Sequence, residues 1–294
     1  MLYSEIFRSI QGEGVYTGVP TVWLRLFGCN LECNGFGQKA PTDPDTYILP
    51  YQDIDLIDIS VPEQLPVFKY GCDSSYSWSR RFNKIQRKGT AKEVADELYQ
   101  LMYDNRTHVA YTGCEPMMKA CQKNIVKVIE HLKYNFTVDN HRGYLTDVTF
   151  ETNGTRPIID ELRLQIKNDI IAHNTEYFFS VSPKIWSTSG EKDRICPEIV
   201  KGYYDAVHFF PFKSSGQLKF VCNGSEQSWD EIEDAVASFR HSGVRYPIWI
   251  MPVGATEESQ NKDHVAKIAE ETMDRGYNVS ARVHCYIWGN EIGR

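Results

Sequence analysis

The chain has 294 residues, of which 41% are hydrophobic and 24% charged, and its formal net charge is -7 at pH 7. These are ordinary values for a globular protein and exclude wholesale disorder or a fibrous repeat. The negative balance argues against broad binding to a nucleic-acid backbone. No apolar run approaches the roughly 20 residues that span a bilayer, and the N-terminus lacks a basic segment followed by an apolar one, so we expect a cytoplasmic protein without membrane contact.

Predicted strands and helices alternate along most of the chain. The apolar run at 20–28 predicts a buried strand, and Thr90 with Glu93 forms a capping-box pattern that opens a helix through Met102. Further strands are predicted at 108–113, 147–154, 177–183, 205–209, 217–222, 247–252 and 279–287, and further helices near 117–134, 157–167, 229–240 and 259–274. This order favours an α/β fold, a partial or closed (β/α) barrel with its active site at the carboxyl ends of the strands.

Residues 34–71, called the insertion below, interrupt this alternation with five prolines and an acidic cluster from Asp43 to Glu63. We therefore predict one domain over 1–294 with an insertion at 34–71. Two interpretations of the insertion stay open. It is either a tolerated surface loop, because long loops are thermodynamically cheap, or a docking surface for a reductase or another protein.

Three cysteines suggest a metal centre. Cys29 and Cys33 are close enough for one loop to aim both thiolates at the same centre, and Cys72 follows the insertion. Three thiolates leave one iron of a cubane open to the amino and carboxylate groups of a small molecule, but a structural zinc site explains these cysteines equally well. The remaining cysteines share no local spacing, and we predict no second cluster from Cys114, Cys121, Cys196, Cys222 and Cys285.

A second motif, YTGCEP, ends the predicted strand at 108–113. A backbone edge and one carboxylate there can hold an ammonium group, although a simple strand-to-helix turn can have the same sequence. With the three cysteines, this run resembles the radical SAM superfamily, whose Gly-Gly-Glu-Pro motif binds the methionine amino group of S-adenosylmethionine. Gly113 and Glu115 match cofactor-binding positions of that motif, and Cys114 replaces its second glycine.

The opening SIQGEGVYTGVPTVWLRLFGCNLEC is similar to that of the 7-carboxy-7-deazaguanine synthase family. The similarity continues in CDSSYSW, ETNGT, SVSPK and LKFV, and ARVHCYIWGNEIGR aligns without gaps to the family's end. Most members space the cysteines as C-x3-C-x2-C, whereas here 38 residues separate the second and third. Cys72 is therefore assigned by the Asp73, Ser74 and Tyr76 that follow it.

This resemblance implies a radical SAM carbon–nitrogen lyase of queuosine or related 7-deazapurine biosynthesis. Its reaction would be the ring contraction of 6-carboxy-5,6,7,8-tetrahydropterin to 7-carboxy-7-deazaguanine with loss of ammonia. The cofactors implied are a [4Fe-4S] cluster on Cys29, Cys33 and Cys72, S-adenosylmethionine and Mg²⁺. The resemblance also implies a small-molecule pterin substrate, an electron donor such as a flavodoxin, and a homodimer.

The resemblance also assigns individual residues. Those matching substrate-binding positions are Gln11, Glu13, Arg25 and, through its terminal carboxylate, Arg294. Those in cofactor-binding motifs are Gly113, Glu115, Thr152, Asn153, Ser182 and Lys184, and Ser74 stands where the family has a Mg²⁺-binding threonine. Trp288 replaces a substrate-contacting histidine of some relatives, and either pterin stacking or a core position explains it. We interpret His284 as a core or strand histidine.

Two other functions fit parts of this pattern. An activase that generates a glycyl radical on a partner protein also combines a three-cysteine loop with a similar barrel, although the QGEG segment argues against it. A non-catalytic zinc-binding module needs only the cysteines, and iron and sulfide content would separate it from either enzyme.

Overall fold

The computed structural model describes residues 1–102, 108–113, 115–138, 145–208 and 215–294. The strands are β1 (Leu2–Ile10), β2 (Pro20–Leu26), β3 (Arg87–Lys88), β4 (His108–Gly113), β5 (Asp147–Thr152), β6 (Glu176–Val181), β7 (Gly216–Cys222), β8 (Ile248–Pro252) and β9 (Asn278–Val279). The α-helices are α1 (Ala91–Leu101), α2 (Lys119–Val138), α3 (Asp160–His173), α4 (Trp186–Ser189), α5 (Pro197–Val207), α6 (Glu226–His241), α7 (Lys262–Asp274) and α8 (Val283–Trp288).

All of these strands belong to one sheet, in the order β3-β1-β2-β4-β5-β6-β7-β8-β9. β1 is antiparallel to β2 and β3, and every neighbouring pair from β2 to β9 is parallel. Helices separate most of the parallel strands in sequence, as such pairing requires. The predicted α/β fold is confirmed, whereas the single domain with an insertion stays a prediction.

One face of the sheet forms the main hydrophobic core. Side chains alternate between the two faces of a strand, so every second residue of the parallel strands points the same way. The buried residues on this face include Leu24, Tyr111, Phe150, Phe179 and Phe220. They pack with apolar residues of the surrounding helices, and this burial is the main stabilising contribution to the fold.

Local sequence explains where helix α1 begins. The Thr90 hydroxyl accepts a hydrogen bond from the Glu93 amide at 3.2 Å, and the Glu93 carboxylate accepts one from the Thr90 amide at 2.7 Å. This reciprocal pair satisfies two amide groups that have no partner within the helix. The predicted capping box is confirmed.

Two predicted strands are wrong. Residues 205–207 end helix α5, because the apolar residues Val200, Tyr203 and Val207 recur at helical spacing and bury one face; residue 209 lies outside the described residues. The strand predicted at 279–287 stops at Val279, and helix α8 follows it. Short apolar runs fit both periodicities, so sequence alone does not separate these cases.

The insertion has a small core of its own. Its Tyr51, Leu65 and Phe68 are buried with Tyr76, Phe82 and Ile85, which follow it in sequence. Three of its prolines begin 3-10 turns, at Pro44–Thr46, Pro50–Gln52 and Pro62–Gln64, where the fixed φ of proline suits the first position. Both interpretations of the insertion stay predictions.

Within the described parts of the chain, no helix is both long enough and apolar enough to cross a membrane.

Candidate active site

A cavity of about 280 Å³ lies on the face of the sheet opposite the main core. The alternation that buries the apolar residues turns Arg25, Thr112, Glu151, Ser180 and Lys219 toward this cavity. Turns after the carboxyl ends of the parallel strands supply much of the remaining lining. The cavity therefore lies where the predicted α/β topology puts an active site.

Most of the predicted site residues line this one cavity. They are Gln11, Glu13, Arg25, Cys29, Cys33, Cys72, Ser74, Gly113, Thr152, Asn153, Ser182, Lys184 and Arg294. Glu115 is the exception, since it is fully buried behind the lining that the described residues form. The structure thus brings together residues that lie up to 283 positions apart, from Gln11 to Arg294.

The three predicted ligand cysteines reach the cavity from two turns. Cys29 and Cys33 follow β2, and Cys72 follows the insertion. Burial raises the pKa of the Cys72 thiol to about 12, and the nearby Asp73 carboxylate and Cys29 add to that rise. Burial likewise raises the pKa of Cys33 well above its ordinary value. The thiolates therefore need a bound cation to offset the loss of hydration.

Thiols are the groups that usually hold an iron–sulfur cluster, and Cys29, Cys33 and Cys72 bring three of them to the cavity. Among the residues that the structure describes, no group of three or more His, Cys, Asp or Glu side chains is placed to hold a metal ion. The other described cysteines lie outside the cavity lining, namely Cys121, Cys196, Cys222 and Cys285, and Cys114 lies outside the described residues.

Gly113 closes strand β4 in a conformation that only glycine tolerates easily. Its φ is +104°, and a Cβ atom built there would lie 2.3 Å from the Leu26 amide nitrogen and 2.4 Å from the Leu26 carbonyl oxygen. Only glycine therefore lets the end of β4 lie this close to the backbone of β2, at a point that lines the cavity.

Glu115 holds neighbouring turns together. Its carboxylate accepts hydrogen bonds from the Thr152 hydroxyl at 2.6 Å, the Asn153 amide at 2.7 Å and the Met117 amide at 2.9 Å. Burial raises its pKa although these donors oppose the rise. In this conformation Glu115 fixes the position of Thr152 and Asn153, and its carboxylate does not face the cavity.

Two further predicted cofactor residues follow β6. The Lys184 ammonium donates to the Ser182 hydroxyl at 2.9 Å and lies 5.5 Å from the centre of the Phe36 ring. On the neighbouring turn, the Asn153 side-chain amide donates to the Asn30 carbonyl oxygen at 3.3 Å. These contacts join the turns after β5 and β6 to the loop that carries Cys29 and Cys33.

Glu13 lies in a buried network of opposite charges. Lys219 donates to one of its carboxylate oxygens, and Arg282 donates to the other at 3.0 Å. Burial would raise the pKa of Glu13, but these two cations outweigh burial and hold it well below its usual range. Arg282 also donates to Asp73 at 2.7 Å, which ties the network to the residue after Cys72. Glu13 is therefore ionised at neutral pH.

Gln11 extends this network. Its side-chain amide donates to Glu151 at 2.9 Å, and its carbonyl oxygen accepts from the Glu13 backbone amide at 3.0 Å. Gln11 and Glu13 consequently present donor and acceptor groups side by side. The arrangement suits the polar edge of a heterocycle, which carries both types of group.

Arg25 is oriented by its neighbours. Its Nε donates to Glu5 at 2.6 Å and its Nη1 to the Ser74 hydroxyl at 3.0 Å. The pKa of Arg25 rises further above its ordinary value, because Tyr76 and Glu5 outweigh the effect of burial. Ser74, the predicted Mg²⁺ ligand, thus already faces a guanidinium group.

The C-terminal segment reaches the cavity. Arg294 lines it, whereas Trp288 ends helix α8 and is not part of the lining that the described residues form. The interpretation of His284 as a core or strand histidine is wrong, since it lies on α8, lines the cavity and has its Nε2 3.9 Å from Glu13. Burial, reinforced by Arg282, lowers the pKa of His284 to about 4.

Sequence reasoning missed several charged residues of the cavity, namely Glu151, Lys219 and Arg282. The sequence contained a signal for Glu151 and Lys219, because each is a charged residue that alternates with apolar residues in a mostly buried strand. Arg282 follows the short strand β9, and no local pattern marks it.

No model of a protein family matches the chain. The 7-carboxy-7-deazaguanine synthase of Rickettsia prowazekii (strain Madrid E) is 59% identical over 284 residues, which cover 96% of this chain and 86% of the relative. The chain belongs to the 7-carboxy-7-deazaguanine synthase family. The member from Pyrobaculum aerophilum is 25% identical over 291 residues, which cover 99% of this chain and 96% of the relative.

The fold agrees with that membership. The crystal structure of QueE from Escherichia coli superposes with a TM-score of 0.55 at 19% sequence identity, covering 97% of this chain and 95% of the other. The resemblance predicted from the opening segment and the later motifs is confirmed.

Proposed function

We propose that this protein is a radical SAM carbon–nitrogen lyase that converts 6-carboxy-5,6,7,8-tetrahydropterin to 7-carboxy-7-deazaguanine with release of ammonia. This proposal depends mainly on one observation: three cysteine thiols line the same cavity as Gln11, Glu13 and Arg25. The chain that forms this cavity belongs to the synthase family. The same cavity thus has groups for the cofactor and groups for the substrate.

Cys29, Cys33 and Cys72 would hold a [4Fe-4S] cluster. When bound, the cluster and S-adenosylmethionine would supply radical chemistry, since one-electron reduction of the sulfonium cleaves it with release of methionine. The backbone of Gly113 and the Lys184 side chain, which both line the cavity, would bind and orient the cofactor. Glu115 would not contact the cofactor itself, but it would hold Thr152 and Asn153 in place to do so. Ser182, which accepts a hydrogen bond from Lys184, would contact the cofactor as well.

Gln11 and Glu13 would bind the polar edge of the pterin. An ionised carboxylate accepts hydrogen bonds only, so Glu13 selects the N–H groups of the ring, and Gln11 offers both a donor and an acceptor. Lys219 and Arg282 keep Glu13 ionised and fix its position. Arg25, already oriented by Glu5, would pair its remaining N–H groups with the substrate carboxylate, and Arg294 would lie beside the bound substrate.

Mg²⁺ would bind at Ser74. A serine hydroxyl is a hard oxygen ligand, and Asp73 offers a carboxylate beside it at 3.3 Å. The ion would share the Ser74 oxygen with Arg25, and its charge would help to neutralise the substrate carboxylate.

The cellular setting is part of the proposal. We expect a cytoplasmic homodimer that receives electrons from a donor such as a flavodoxin and acts on a small molecule, with neither nucleic acid nor membrane as a partner. The product would serve queuosine or another 7-deazapurine.

Anaerobic reconstitution tests the proposal. The wild-type chain, loaded with iron and sulfide, is incubated with 6-carboxytetrahydropterin, S-adenosylmethionine, Mg²⁺ and dithionite, and product is detected by mass. We expect 7-carboxy-7-deazaguanine from wild type and none from Cys72→Ala. Cys196→Ala is the matched control, since this cysteine lies outside the cavity lining, and it should keep full activity. Cleavage of S-adenosylmethionine with the pterin untouched would contradict the assignment and favour an activase.

A further inference from the structure

The loop from Cys29 to Cys33 turns sharply at its end. Cys33 has a φ of +51°, in the left-handed region that residues other than glycine rarely adopt. It is also buried, so water cannot satisfy its backbone groups. A group elsewhere in the protein therefore has to accept a hydrogen bond from the Cys33 amide and stabilise this conformation.

The carboxylate of Glu191 meets that need from a distant part of the chain. One of its oxygens accepts hydrogen bonds from the backbone amides of Glu32 at 2.8 Å and Cys33 at 2.9 Å. Two successive amides that converge on one anion form a backbone nest, an arrangement typical of anion sites and of iron–sulfur loops. Here a protein carboxylate fills the nest, and its side chain is only 14% exposed. Its second oxygen accepts a hydrogen bond from the half-exposed Arg194 at 3.4 Å, so this cation offsets part of the charge.

The backbone around Glu191 packs closely on the same loop. The Gly35 amide donates to the Ser189 carbonyl oxygen at 3.0 Å, and a Cβ atom on Gly35 would lie 2.6 Å from the Gly190 amide nitrogen. The Ser189 hydroxyl accepts from the Glu191 amide at 3.2 Å, which orients the carboxylate. Residues 189–191 therefore form a rigid support under the end of the cysteine loop.

We propose that Glu191 is a positioning residue for the cluster: it holds Cys33 in the ligand conformation and sets a fixed negative charge beside the cluster. This inference rests on the proposed function, because it assumes that Cys33 is a cluster ligand. A charge-assisted hydrogen bond to each of two amides keeps the loop preformed before iron arrives. The added negative charge disfavours uptake of an electron, so it lowers the reduction potential of the cluster.

Two substitutions separate these roles. Glu191→Ala removes both the acceptor and the charge, and Glu191→Gln keeps an oxygen acceptor but removes the charge. We expect Glu191→Ala to lose iron and sulfide about 10-fold faster than wild type during anaerobic gel filtration, as is typical when a group that supports a metal ligand is removed. Glu191→Gln should retain the cluster, with a midpoint potential more positive than that of wild type in a redox titration followed by EPR.

Glu198→Ala is the matched control, because Glu198 is an exposed glutamate seven residues along the chain, at the start of α5. Circular dichroism and the thermal midpoint of the apo proteins establish that each variant folds. A folded Glu191→Ala that loads and keeps its cluster like wild type overturns the positioning role. A Glu191→Gln potential equal to that of wild type overturns the electrostatic role. A wild-type chain that binds no iron overturns the proposed function together with this inference.

Discussion

The two faces of the central sheet are made from alternate residues of the same strands, and they depend on different forces. On the helix-covered face, residues such as Phe150, Phe179 and Phe220 are fully buried among other apolar groups. On the cavity face, Lys219 is 3% exposed and lies between Glu13 and Glu151. Apolar packing is non-directional and tolerates some rearrangement. A buried charge depends on one particular partner.

The cavity face suits the binding of a polar ligand because its buried charges depend on particular partners. A buried ion pair is weak evidence for stability, because the loss of hydration offsets most of its attraction. Removing one partner is nevertheless strongly destabilising, since the other charge stays buried alone. The cavity face therefore gains specificity for a polar ligand, and the opposite face supplies most of the stability that this arrangement requires.

The largest effect should come from the helix-covered face. Phe239→Ala removes a ring of α6 that is 1% exposed and lies 6.5 Å from the Phe220 ring. We expect the free energy of unfolding to fall by about 3–5 kcal/mol in urea denaturation. Activity per folded molecule should stay at the wild-type value. A matching loss of kcat at full folding would show that the two faces are not independent.

On the cavity face, Lys219→Met removes a cation and keeps most of the side-chain volume. The free energy of unfolding should fall by about 3 kcal/mol, because Glu13 loses a buried partner. The double variant Glu13→Gln/Lys219→Met leaves no unpaired charge at these two positions and should recover most of that stability. Neither variant should form product, as the pterin site is lost. A double variant as unstable as Lys219→Met would contradict the ion-pair explanation.

The pH dependence of stability tests a buried histidine on the cavity face of the sheet. His108 begins strand β4 and is buried against Tyr16. Burial lowers the pKa of His108 to about 4, from the ordinary histidine value of 6.5. As the pH falls below about 6.5, the unfolded chain takes up this proton before the folded chain does. The free energy of unfolding should therefore decrease between pH about 6.5 and about 4, with His108 contributing roughly 3 kcal/mol.

His108→Gln should reduce the dependence of the free energy of unfolding on pH, measured by urea denaturation at successive pH values. His241→Gln is the matched control, because it removes a histidine that is exposed at the end of α6 and not buried. A wild-type slope in His108→Gln would mean that His284, whose burial also lowers its pKa to about 4, accounts for the whole effect.

The smallest effect concerns the border between the cavity and the insertion. Ile292 packs against the small core of the insertion, next to the Gly293 and Arg294 that line the cavity. Ile292→Ala should loosen Gly293 and Arg294 at the edge of the cavity and raise KM for the pterin about threefold with kcat nearly unchanged, a loss of under about 1 kcal/mol. The control is Ile287→Ala, since Ile287 is 52% exposed. Equal KM values in both variants would argue against an anchoring role for Ile292.

Much of the fold could be read from local patterns, because strand alternation and helix capping depend on neighbouring residues. The capping box at Thr90 and the strand at 108–113 were predicted correctly for this reason. The strand predicted at 205–209 failed because a short apolar segment has no period long enough to distinguish a strand from a helix. The predicted strand at 279–287 failed for the same reason.

The alternation of predicted strands and helices was enough to predict the α/β class, and short sequence motifs were enough to predict the family and thirteen of the residues that line the cavity. Only the tertiary structure decided that Glu115 faces away from the cavity and that His284 and Arg282 face into it. It also paired Glu191 with the amide of Cys33 across 158 positions. Such contacts depend on where distant turns meet, and the energy of a buried charge is set by partners that no local pattern specifies.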